Sequence, residues 1–162
     1  MLLSTGAWGA ASGVADTARL LAGAGYVPVV LCGANHRLRR ELSASPPAIA
    51  LGWVDDMPGL MAAAAVLVDN AAGQTAQEAM AAGLPVVSYR PIPGHGAAGV
   101  RCMANLGLSE HASGPEGLLH AVAALCQPGP LRQRRIAAGR GLFAADGTWP
   151  LEELAARARP SA

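Results

Sequence analysis

The chain alternates short, almost solidly apolar runs with helix-forming stretches, and small-residue turns join most of the runs to the stretches that follow. The runs are Leu2–Thr5, Val27–Cys32, Ala48–Leu51, Val66–Asp69 and Val86–Tyr89. A strand that is apolar on both sides has to be covered on both faces. Parallel sheets sandwiched between helices meet that demand. The intervening segments carry helical patterns: Val14–Ala24 (closed by Gly25), the Arg-rich Asn35–Leu42, Gly59–Ala64, Thr75–Ala82 and Ala97–Leu106. A weak strand is expected over Ser109–Ala112, followed by helices over Pro115–Cys126, Pro130–Phe143 and Leu151–Ala158. The expected fold is α/β, a doubly wound, Rossmann-like parallel sheet. With no internal repeat and no long linker, residues 1–162 read as a single domain.

Composition narrows the function classes. Hydrophobic residues make up 52% of the chain, enough to build a core, whereas charged residues make up 14% against a usual ~25%. So little charge suggests apolar surface that a second domain, a partner or a membrane surface covers. A net charge of +1 gives no electrostatic footprint for nucleic acid. Cys32, Cys102 and Cys126 are scattered and show neither metal-ligand spacing nor a disulfide framework, which fits a reducing cytoplasm. The opening MLLSTGAWGAAS lacks the basic segment of a signal peptide, and the longest apolar run, Leu60–Val68, is too short to span a bilayer.

Function is expected where strands turn into helices. GAWGAASG, CGAN, GWVDDM, DNAAGQT and PIPGHG would all open on the carboxyl edge of the sheet, where open α/β sheets bind ligands. Gly6, Gly9 and Gly13 allow close backbone approach at a helix start, which suits either a phosphate or tight helix–strand packing. The spacing is neither the dinucleotide nor the Walker pattern. The second strand ends in Cys32-Gly33 instead of an acid, which disfavours NAD.

In the fourth turn, Ala72, Gly73, Gln74 and Thr75 bring backbone donors and a hydroxyl to a helix start. Thr75 and Glu78 have capping-box spacing, so Glu78 either bonds the cap or accepts two ribose hydroxyls. Trp53 is either a core-rim residue or a base platform, and Asp55 and Asp56 are candidate caps for the next helix. His95 opens the helix after PIPG as a cap or as a contact to a sugar or phosphate. Arg132, Arg134, Arg135 and Arg140 read as a solvated helix face, with anionic headgroups as the sharper alternative.

Taken together and in order, STGAWGAASG, CGANHRL, GWVDDM and VDNAAGQTAQEAMAAGLPVVSYRPIPGHG resemble the C-terminal half of GT-B glycosyltransferases. The likeness is strongest to the monogalactosyldiacylglycerol synthase and processive diacylglycerol glucosyltransferase group, and it covers roughly residues 1 to 125. It implies a UDP-sugar donor, no bound metal or cofactor, and inverting hexosyl transfer to a lipid acceptor at the cytoplasmic membrane face. The resemblance assigns donor-site roles to Gly6, Gly9, Trp53, Val54, Met57, Asn70, Gly73, Gln74, Thr75, Glu78 and His95. Within that set Glu78 matches the ribose-binding acid, Gly73–Thr75 lie by the phosphates, Trp53–Met57 surround the uracil, and His95 lies near the sugar.

Family members are about twice as long, with an N-terminal acceptor domain that supplies the general base. No catalytic residue is therefore expected in this chain, which would be inactive alone. The family usually carries an Asn four residues past the histidine, and Gly99 stands there instead, a departure that puts one sugar contact in question. The alternatives are a non-catalytic nucleotide-binding module, and a sugar-nucleotide epimerase whose catalytic acids and histidine have no counterpart.

Overall fold

The computed structural model describes residues 1–44 and 48–144. The helix expected over Leu151–Ala158 lies outside the described residues. Six parallel strands form one sheet: β1 (Leu2–Ser4), β2 (Val29–Leu31), β3 (Ile49–Leu51), β4 (Leu67–Asp69), β5 (Val86–Tyr89) and β6 (Glu110–Ala112). Their spatial order is β3-β2-β1-β4-β5-β6, with every pairing parallel. The helices are α1 (Val14–Gly23), α2 (His36–Ser43), α3 (Met57–Ala62), α4 (Gln74–Ala82), α5 (His95–Asn105), α6 (Pro115–Cys126) and α7 (Pro130–Ala144).

The two-residue period of a strand assigns each apolar run to two layers. Leu3, Val30, Val68 and Val87 face one core with α1, α2 and α6, through Val14, Leu21, Leu42, Leu118 and Leu125. Their neighbours Leu2, Leu67 and Val86 face the other core with α3, α4 and α5, through Met61, Ala76, Met80 and Met103. Solid apolar runs are thus what a sheet covered on both faces requires.

The chain winds outward from β1 to β3 over one face. It then crosses by α3 to β4 and winds the other way over the opposite face. The topological switch lies between β1 and β4, where the turns after both strands open side by side.

Helix starts differ from the sequence reading by one or two residues where a turn competes with the helix. Asp56 caps α3 by accepting from the Gly59 N–H at 2.9 Å, as its position suggested, but the helix begins at Met57 with Pro58 in the first turn. α5 begins at His95, two residues ahead of the expected Ala97.

The arginines of α7 are not a solvated face. Arg132 donates to the carbonyls of Ala65, at 2.7 Å, and Leu125. Arg135 pairs with Glu110 at 2.6 Å and donates to the Gly107 carbonyl. The Arg140 guanidinium packs over Gly83, the left-handed residue that ends α4. Three of the four arginines therefore anchor α7 to the body, where Gly139 lets it approach the Met80 backbone of α4 closely.

Candidate functional site

Every strand-to-helix turn opens at the carboxyl edge, and a cleft of about 400 Å³ lies there across the switch point. The turn after β1 contributes Gly6, Ala7, Trp8 and Ala10, and the turn after β2 contributes Gly33. Gly52, Trp53, Val54 and Met57 come from the β3 turn. The β4 side contributes Asp69, Asn70, Ala71, Gly73, Gln74, Thr75 and Glu78, and Ile92 closes the wall after β5.

Backbone constraints make this surface. Gly33 has φ +54, and a Cβ there would stand 2.3 Å from the Ala7 carbonyl oxygen. The β1 and β2 turns can lie against each other only because that Cβ is missing. The Ala34 N–H donates to the same Ala7 carbonyl at 2.8 Å, and the Asn70 side-chain amide donates to the Ala10 carbonyl at 3.1 Å. Asn70 thus ties the β1 turn to the β4 turn across the switch, while its backbone carbonyl accepts from the Ile92 N–H.

Asp69 shapes the β4 turn. Its carboxyl group is buried, and Oδ2 accepts the N–H groups of Ala71 at 3.0 Å and Ala72 at 2.7 Å. These bonds hold Ala72 at φ +55, a conformation an alanine adopts only when its surroundings impose it. The chain then extends through Gly73 and starts α4, whose first N–H groups, at Gln74 and Thr75, have no acceptor within the helix. Replacing Asp69 with Ala is expected to lower stability by about 2 kcal/mol, because two part-buried donors lose a buried acceptor. Asp69→Asn keeps an oxygen at that position and should retain most of the stability in urea unfolding.

The capping-box reading of Glu78 does not hold. The residue ahead of α4 is Gly73, with no side-chain cap, so Thr75 already sits inside the first turn. Glu78 is two residues past the capping-box position, which Ala76 occupies, and so is too far along to reach back to the cap. It is exposed, and its Oε1 accepts from the Gln74 amide at 2.8 Å on the cleft wall.

Among the other expected residues, Gly6, Trp53, Val54, Met57, Asn70, Gly73, Gln74 and Thr75 also line the cleft. Trp53 is 70% exposed, with its indole N–H donating to Asp55 Oδ1 at 3.1 Å, so it is not a core-rim residue. Gly9 instead packs under Asn35 and the Cys32 carbonyl, where a Cβ would stand 2.4 Å from the Asn35 Cβ. The backbone of His95 opens α5 at the same edge, and its side chain is outside what the structure describes. Gly99 seats α5 on the β4 turn, its missing Cβ leaving room for the Ala72 methyl and the Ala71 carbonyl.

Asp69 and Trp8 are among the lining residues that were not singled out from the sequence. Asp69 leads a run of small residues, the usual context of a side chain that bonds its own turn. Trp8 is a large apolar residue in a glycine-rich turn, and it stands 81% exposed in the cleft.

No protein-family model matches the chain. Over 100 residues it is 33% identical to the processive diacylglycerol beta-glucosyltransferase of Bacillus pumilus (strain SAFR-032), an alignment covering 58% of this chain and 26% of that protein. The chain spans about a quarter of the length of that curated relative. The calicheamicin glycosyltransferase CalG4 superposes over 98% of this chain and 44% of its own, with TM-score 0.70 and 23% identity. The chain has the fold of GT-B glycosyltransferases, and its sequence is similar to the diacylglycerol glucosyltransferases. UGT71G1 of Medicago truncatula, solved with UDP-glucose, shares the fold of this GT-B domain over 90% of the chain and 37% of its own, with TM-score 0.63 and 15% identity.

Proposed function

We propose that the cleft holds the uridine diphosphate part of a UDP-sugar, and that the chain serves as the donor-binding domain of an inverting hexosyltransferase with a lipid acceptor. One observation carries the reading. Nine of the eleven residues expected at a donor site, drawn from three separate turns, line one cleft at the switch point. The order along the cleft suits such a ligand. Trp53, at the β3 end, offers an aromatic face for the base, and Glu78 offers a carboxylate that can take both ribose hydroxyls. The first-turn N–H groups of α4 and the Thr75 hydroxyl suit the phosphates. His95 would stand toward the sugar, and Gly6 beside the phosphates.

The lipid acceptor is supported by the named activity of the Bacillus relative. No helix among the described residues is long and apolar enough to cross a membrane. The acceptor and the general base would be supplied by another domain, and the isolated chain is expected to transfer no sugar.

Thermal unfolding tests the binding claim, because a ligand that binds only the folded state stabilises it by about 2.7 kcal/mol at a hundred times its Kd. Millimolar UDP should raise the midpoint, and ADP and NAD should not. Equal shifts with all three nucleotides, or none with UDP, would contradict the reading.

A further inference from the structure

Among the described residues, the cleft lining contains two acidic residues, Asp69 and Glu78, and no lysine or arginine. A diphosphate bound there brings two or more negative charges, and backbone donors alone do not neutralise them. Among the described residues, two arginines stand at its margins. Arg39 lies at the β3 end, its Nη1 3.3 Å from where a Cβ on Gly52 would be. Arg90 lies at the other end, where the phosphates would sit.

Arg90 follows β5 directly and lines a small cavity of about 30 Å³ that shares Ser4, Thr5, Asp69 and Asn70 with the cleft. Its backbone is left-handed, φ +48, which a long side chain adopts only when the surrounding fold imposes it. That conformation accompanies a guanidinium turned onto the glycine turn after β1, where Nη1 donates to the Gly13 carbonyl at 3.0 Å. Gly13 makes this possible, because a Cβ there would stand 1.8 Å from Nη1. The guanidinium carbon also sits 5.3 Å from the centre of the Tyr89 ring. The side chain is exposed, and only one of its N–H groups is engaged among the described residues. A guanidinium carries five donors, so most of its capacity is available to an anion.

We propose that Arg90 supplies the positive charge for the phosphates, reaching them from the Gly13 turn across the shared wall of the two cavities. The proposal rests on the uridine diphosphate reading, and it makes Arg90 a determinant of nucleotide over nucleoside binding.

The test is calorimetric titration of the full chain with UDP and with uridine, for wild type, Arg90→Gly, Arg90→Lys and Arg39→Ala. Glycine removes the charge and accepts the left-handed backbone, so the variant should fold. Arg90→Gly is expected to weaken UDP binding about tenfold or more while uridine binding stays within about twofold. Arg90→Lys, which retains a point charge, should fall between it and wild type, and Arg39→Ala should preserve the preference for UDP over uridine. Equal losses for UDP and uridine in Arg90→Gly, or an unchanged UDP affinity, would overturn the proposal. Wild type that binds neither ligand would instead overturn the donor-site reading itself.

Discussion

Replacing Glu78 with Ala is expected to remove most of the UDP affinity and leave the fold almost untouched. The carboxylate is exposed on the cleft wall, and its recorded bond is to Gln74, four residues earlier on the same helix. Such pairs contribute about 0.2–0.5 kcal/mol, so the midpoint without ligand should barely move. A bidentate bond to a ribose is a different matter. Hydrogen bonds to a charged group are worth roughly 1.5–3 kcal/mol, which corresponds to about a tenfold to hundredfold loss in affinity. Binding calorimetry with UDP, paired with denaturant unfolding, separates the two quantities. A variant that lost stability and binding in parallel would return Glu78 to a structural role.

Replacing Gly33 with Ala should do the opposite, damaging the fold first and binding as a consequence. The left-handed backbone alone costs an alanine about 1–2 kcal/mol. The added Cβ would also meet the Ala7 carbonyl oxygen at 2.3 Å and the Gly6 carbonyl oxygen at 2.7 Å, both of them backbone. The β1 turn would have to move, and with it the Ala34 N–H bond to Ala7. A total loss of about 3 kcal/mol or more follows, a shift of roughly 6–12 °C in midpoint for a chain of this size. Gly6, Ala7 and Trp8 line the cleft, so the folded fraction of this variant should also bind UDP poorly. A Gly33→Ala protein with wild-type stability would show that the two turns are not locked together.

The architecture was legible because its causes are local. Leu2-Leu3, Val29-Val30, Leu67-Val68 and Val86-Val87 show in sequence that both faces of each strand are covered, and parallel strands put all their turns on one edge. The cleft was legible for the same reason, because its walls are those turns. Contacts set by distant parts of the chain were less visible. Thr75 and Glu78 have the spacing of a cap, but Asp69 bends the chain so that α4 starts ahead of Thr75. Arg132, Arg135 and Arg140 look like a solvated stripe, yet their partners are Ala65, Glu110 and Gly83, each far away in sequence. Gly9 and Gly6 look equivalent in the same turn. Only the approach of Asn35 separates the packed glycine from the one at the cleft.

Amide chemical shifts of the isotopically labelled chain, followed during titration with UDP, would show whether uridine diphosphate occupies the carboxyl-edge cleft. Saturable changes are expected at Gly6–Trp8, Gly33, Trp53–Met57 and Gly73–Glu78, with the far edge of the sheet unchanged. Changes confined to other surfaces, or a spectrum unaltered by millimolar UDP, would contradict that occupancy.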